Sequence, residues 1–235
     1  MNHRMVYLPF GILAILLLAA VLSATVALLF FGLLTTAFAK MGFSWSDALL
    51  LLAASLLGAG INLPLFTVES KVPVVREAFV KSFGLLYRMP VVRSVKNETT
   101  VAVNVGGALI PIFVSAYLLI SYPSVAAIAL AGTAAVALVT FSVARPIGGL
   151  GIATPLFIPP LAAALSAILL TAAFCPIPEC RFVTAYVGGV LGTLVGADIL
   201  NFHRIADLGA PVASIGGAGT FDGIFITGAI AVLLV

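Results

Sequence analysis

Residues 214–228 read SIGGAGTFDGIFITG, and the rest of the chain is understood from them. This stretch lies in a strongly apolar C-terminal segment, yet it holds a carboxylate, Asp222, and five glycines. A carboxylate at membrane depth costs roughly 2.5–3.5 kcal/mol on insertion scales, so its presence needs a reason. A second carboxylate, Asp198, stands in the preceding apolar segment within Gly196-Ala197-Asp198. The expectation is that the two aspartates face each other.

Working outward, 63% of the residues are hydrophobic and only 8% are charged. Soluble domains carry about 25% charged residues, which excludes that class. The apolar runs are continuous and span about 20 residues, unlike the short alternating segments of a membrane β-barrel. The composition therefore predicts an all-α polytopic membrane bundle, a single integral membrane domain over 1–235. The expected spans are 6–38, 48–68, 100–120, 125–143, 150–174, 182–202 and 211–235, seven helices in all. The apolar run after Arg4 is longer than the ~7–15 residues of a signal-peptide core, and it reads as a retained first helix.

Charge sets the orientation. With loop 69–99 in the cytoplasm, Lys71, Arg76, Lys81, Arg88, Arg93 and Lys96 lie inside, joined by Arg4, Arg145 and Arg204. Only Lys40 and Arg181 fall outside. This asymmetry predicts an inner-membrane protein with its N-terminus cytoplasmic and its C-terminus outside. The net charge of +3 carries no signal for nucleic acid, because the basic residues sort by membrane side. Loop 69–99 contains Pro-Val-Val-Arg twice, at 73–76 and 90–93. It reads first as an interfacial amphipathic helix with Phe79, Phe83 and Leu86 on one face. The other reading is a small two-stranded element made from the repeated Pro-Val-Val, offering an edge to an extended peptide.

Gly60-Ile-Asn-Leu-Pro-Leu-Phe66 matches Gly151-Ile-Ala-Thr-Pro-Leu-Phe157 at five of seven positions. Gly107-Ala-Leu-Ile-Pro-Ile-Phe113 shares the Gly, Pro and Phe. Proline removes a backbone hydrogen bond, so helices broken near Pro64, Pro111, Pro155 and Gly216–Gly219 are expected. Repeated transporter halves show such breaks at corresponding positions, although Gly and Pro are also common in ordinary membrane helices. Gly188, Gly192 and Gly196 form an i, i+4, i+8 stripe, a seam for a close neighbour. At 100° per residue Asp198 falls off that stripe, with Asn201 on its side. Cys175 and Cys180 flank Pro-Ile-Pro-Glu in a loop placed outside, where a disulfide is chemically permitted.

Absences narrow the chemistry. The two histidines, His3 and His203, lie near membrane ends, and there is no His-Glu-x-x-His, rhomboid Gly-x-Ser-Gly or phosphate loop. No metal and no cofactor are expected. Two carboxylates on adjacent helices in low dielectric cannot both ionise cheaply and would share a proton. One then activates a water while the other protonates the carbonyl or leaving group, as in an aspartic protease. On this reading Asp198 and Asp222 are catalytic, and the substrate is a transmembrane peptide. Gly196, Asn201, Gly217, Gly219, Thr220, Gly223, Asn62 and Asn104 support the site, the glycines by letting the backbone unwind. The same residues suit a cation- or proton-coupled transporter, with Asn and Thr oxygens beside broken helices. A structural reading has Asp198 reaching the interface or pairing with Arg204, and Asp222 capping a restarting helix. An assembly factor is the third class. Membrane lipid is an expected partner, beside a transmembrane peptide substrate, and the sequence is silent on oligomeric state.

The residues also carry a resemblance. Gly-Ala-Asp-Ile-Leu-Asn at 196–201 and Leu-Gly-Ala-Pro-Val-Ala-Ser-Ile-Gly-Gly-Ala-Gly-Thr-Phe-Asp-Gly-Ile-Phe at 208–225 resemble a prokaryotic multi-pass membrane family of the DUF1614 kind, a domain of unknown function. The segments at 60–65, 103–108 and 154–161 fit it as well, so the resemblance covers most of the chain. It implies a membrane protein and names no activity. A weaker likeness is to intramembrane aspartyl proteases of the presenilin and prepilin-peptidase kind. Gly196-Ala197-Asp198 stands where those have Gly-x-Gly-Asp, Phe221-Asp222 where presenilins have Tyr-Asp, and Gly209-Ala210-Pro211 is similar to their short proline motif. The aspartate order is reversed, the Gly-Asp is Ala-Asp, and the tyrosine is phenylalanine.

Overall fold

Seven α-helices run along the described chain: α1 (Ile12–Lys40), α2 (Trp45–Gly58), α3 (Ile110–Ser121), α4 (Ala126–Val143), α5 (Ile158–Phe174), α6 (Pro178–Thr193) and α7 (Gly223–Leu234). The structure, a computed structural model, describes residues 11–71, 76–82, 85–91, 98–149, 151–175, 177–217 and 223–235. Three helical stretches, Ile12–Lys40, Pro123–Val143 and Pro178–Ile199, are long and apolar enough to cross a membrane, and the other helices are shorter.

Strands interrupt the apolar runs where continuous helix was expected. β1 (Asn62–Glu69) takes the tail of the expected span 48–68, and β4 (Glu98–Asn104) takes the head of 100–120. β6 (Gly151–Ala153) and β7 (Val212–Ile215) likewise replace the starts of 150–174 and 211–235. Hydropathy cannot tell a short apolar strand from apolar helix, and the β-branched run Thr99-Thr100-Val101 favours the strand. β1 and β4 pair antiparallel, β4 and β7 pair parallel, and the order β1-β4-β7 leaves β1 and β7 at the edges.

The prolines therefore act differently from helix kinks. Pro64 lies in edge strand β1 beside a shift of register between Pro64 and Phe66, where a missing N–H is tolerated. Pro111 sits at the start of α3, directly after a π-helical turn, Val105–Leu109, where the helical hydrogen-bond step changes. Pro155 lies in the turn between β6 and α5. In place of the amphipathic helix expected within 69–99, β2 (Arg76–Ser82) and β3 (Leu85–Val91) form an antiparallel hairpin, with Arg76 opposite Val91. A second small hairpin pairs β5 (Arg145–Ile147) with β6.

Helix α6 is the hub. Its glycine stripe meets α4 as the spacing predicts. A Cβ on Gly192 would lie 2.6 Å from Cβ of Val136, and one on Gly196 would lie 2.4 Å from the Ala137 carbonyl oxygen. On another face a Cβ on Gly189 would come 3.2 Å from Cα of Gly228, so α7 also packs backbone to backbone. Phe38 of α1 closes this core against Tyr186 and Phe225, with ring centroids 5.9 and 6.2 Å away. A smaller apolar cluster, Val101, Ile205, Leu208, Ala210 and Ala213, lies against the sheet. Cys175 and Cys180 are joined in a disulfide across the α5–α6 turn.

Candidate functional site

Asp198 is positioned by a break in helical geometry. Beyond Thr193 the α6 backbone passes into a π-helical turn, Leu194–Ile199, whose hydrogen bonds reach i+5 instead of i+4. The wider turn lets Thr193 and Asp198, five residues apart, line one cavity. Its volume is about 280 Å³. β5 and β6 contribute Ile147 and Gly151–Ala153, Thr154 follows them, β7 contributes Val212 and Ser214, and Ala197, Gly216, Gly217, Gly223 and Ile224 complete the wall. Asp198 is half-buried and is the one ionisable side chain among these lining residues.

The wall holds its shape through backbone ties. The hairpin turn is anchored by the Gly149 N–H, which donates to the Leu208 carbonyl at 2.7 Å. At the end of β7 the chain turns through Gly216 and Gly217, with φ of 80° and 107°. Only glycine adopts those angles without strain, and a Cβ on Gly216 would lie 2.4 Å from Cβ of Ala108.

The two asparagines meet beside this cavity. Asn62 and Asn104 are cross-strand partners, and the Asn104 amide donates to the Asn62 side-chain oxygen at 3.0 Å. The same amide donates to the Ala59 carbonyl at 2.7 Å, while the Asn104 oxygen accepts from the Gly107 N–H at 2.8 Å. Asn104 is buried and clamps the end of α2, the sheet and the turn into α3 together. Asn62 also accepts from the Ser214 hydroxyl at 2.6 Å, which links the clamp to a residue lining the cavity.

The expected site residues thus divide. Asp198, Gly217 and Gly223 share the cavity, and Asn62 reaches it through Ser214. Gly196 serves helix packing instead. Asn201 does not line the cavity with Asp198; it is fully buried and its amide donates back to the Gly196 carbonyl at 2.9 Å. The helical projection that put it on the aspartate's side fails because the π-helical turn changes the angular step between them. Asp222, Gly219 and Thr220 lie outside the described residues. Thr193 and Ser214 were not singled out from sequence. Thr193 is 2% exposed and its hydroxyl has no hydrogen-bond partner among the described residues, a signal visible only in three dimensions. Among the described residues no group of three or more His, Cys, Asp or Glu side chains converges.

Neither the curated proteins nor the solved structures give a match to this chain. The family described as "Protein of unknown function (DUF1614)" matches residues 56–234, from the end of α2 to the end of α7. That stretch contains the sheet, both hairpins and the whole cavity wall. The chain belongs to the DUF1614 family.

Proposed function

We propose that the chain is an intramembrane aspartyl protease of the inner membrane, with Asp198 and Asp222 as its dyad. One observation carries the reading: Gly217 and Gly223, which bracket 218–222 in the sequence, line the same cavity as Asp198. Asp222 is the covalent neighbour of Gly223, and consecutive Cα atoms are only about 3.8 Å apart. A carboxylate pair around one water at such a place would share a proton and divide the acid and base roles. The substrate is a membrane-inserted polypeptide. All seven helices cross the membrane in this reading, N-terminus inside and C-terminus outside. The shorter helices fall below the ~30 Å core at ~1.5 Å per residue, and the strands that adjoin them supply the remaining length.

A cross-linking experiment tests the pairing directly. In the double variant Asp198→Cys/Asp222→Cys, oxidation in native membranes should join the two positions, since a disulfide requires Cα atoms within about 7 Å. No cross-link in correctly inserted protein would sink the dyad. Asp198→Asn and Asp222→Asn should each abolish cleavage of a membrane substrate without unfolding the protein.

A second reading, a cation- or proton-coupled transporter, is favoured by the polar group of Asn62, Asn104 and Ser214 beside helix breaks. Reconstituted protein would then move substrate along a Na⁺ or pH gradient, and cleavage would be absent.

A further inference from the structure

Among the described residues, strand β7 is paired on one side only. The Thr100 N–H donates to the Pro211 carbonyl at 3.1 Å, and Thr100 stands opposite Val212 in a parallel ladder. In such a ladder alternate residues direct their N–H and C=O to opposite sides. Residues 211, 213 and 215 therefore bond toward β4, and Val212 and Ser214 direct their backbone groups away from it. β7 is the last strand of its sheet among the described residues.

That open side faces the aspartate. Val212 and Ser214 line the main cavity, while Ala213, Ser214 and Ile215 line a smaller one that also touches Asp198. Successive strand residues point to opposite faces, and between them the two cavities touch all four residues of the strand and meet at Ser214. Gly151 and Ile152 of β6 line both cavities from across the gap. The result is a slot with a strand edge on one wall and a hairpin on the other, lined at its base by Asp198 and Thr193.

We propose that this slot binds its substrate as an added β-strand: an unwound stretch of a membrane-inserted polypeptide pairs with Val212 and Ser214 and crosses Asp198. The inference rests on the protease reading for its substrate class. Unsatisfied backbone groups are costly away from water, and an extended polypeptide is the occupant that supplies alternating donors and acceptors along such an edge. A helical segment keeps its own N–H and C=O groups bonded internally and satisfies neither residue.

The test uses the full-length Asp198→Asn protein in lipid nanodiscs. The probe is a leucine-rich transmembrane peptide with central glycines, isotope-labelled at its carbonyls. On binding, the labelled infrared band should move from its helical to its extended position. Val212→Pro removes one outward N–H while leaving the β4 ladder intact, and should weaken binding about tenfold. A peptide N-methylated at alternate central amides should lose the same factor with the protein unchanged, which carries the test if the proline variant fails to insert. A peptide that does not bind, that binds while helical, or whose N-methylated form binds as tightly overturns the slot. Cleavage of the same peptide by wild-type protein, read by mass spectrometry, separates the two claims. Cleavage with a helical bound peptide keeps the dyad and sinks the slot, while strand conversion without any cleavage does the reverse.

Discussion

The Ser214 hydroxyl donates to the Asn62 side-chain oxygen at 2.6 Å, joining residues 152 positions apart in the chain. Through it the sheet's two edge strands are tied across β4, and the cavity wall is tied to the Asn104 clamp. Polar side chains and the apolar cluster around Val101 together fix this end of the bundle.

The clamp makes Asn104 a stability residue. Asn104→Leu leaves the Ala59 carbonyl and the Gly107 N–H without their partner in a buried place. The expected loss is about 3 kcal/mol, because each abandoned buried group costs about 1–3 kcal/mol. Thermal unfolding in detergent should show a lower midpoint. A midpoint equal to wild type would show that the clamp contributes nothing.

The glycine seam should grade along α6. Gly196→Ala pushes a Cβ into backbone at 2.4 Å, and Gly192→Ala meets Val136 at 2.6 Å. Overpacking of this kind costs about 1–3 kcal/mol. Gly188→Ala meets its nearest neighbour at 3.4 Å and should change stability by less than about 0.5 kcal/mol. Equal effects at all three positions would contradict the observed approach of α4.

Thr193→Val separates function from stability. Its hydroxyl is buried without a hydrogen-bond partner among the described residues, so its replacement by a methyl group should leave the melting temperature unchanged or raise it. If the hydroxyl contacts substrate, the variant should also lose about tenfold in substrate turnover. A destabilised variant with unaltered turnover would assign Thr193 to the scaffold.

The disulfide reports on orientation. Cys175 and Cys180 should resist a membrane-impermeant maleimide until reduced, then react when it is added from the outer side. Reaction only from the inner side would invert the proposed topology. Closing so short a loop contributes about 2 kcal/mol, so the double Cys→Ser variant should still fold and show a lower melting midpoint.

Composition marked the chain as largely apolar and mostly helical, with 63% hydrophobic and 8% charged residues, far from the charge content of a soluble domain. The spacing of Gly188, Gly192 and Gly196 marked a close helix seam, and all three meet α4, Gly196 from within the π-helical turn that follows α6. The rarity of carboxylates in apolar sequence marked Asp198, now found in a cavity. The tertiary structure decided the rest. Whether Asn62–Glu69 is helix or strand depends on β4 arriving from 29 to 42 residues away, and hydropathy holds no record of a pairing partner. The π-helical turn at Leu194–Ile199 decided that Thr193 rather than Asn201 shares the aspartate's cavity, because a changed hydrogen-bond step rotates every residue beyond it.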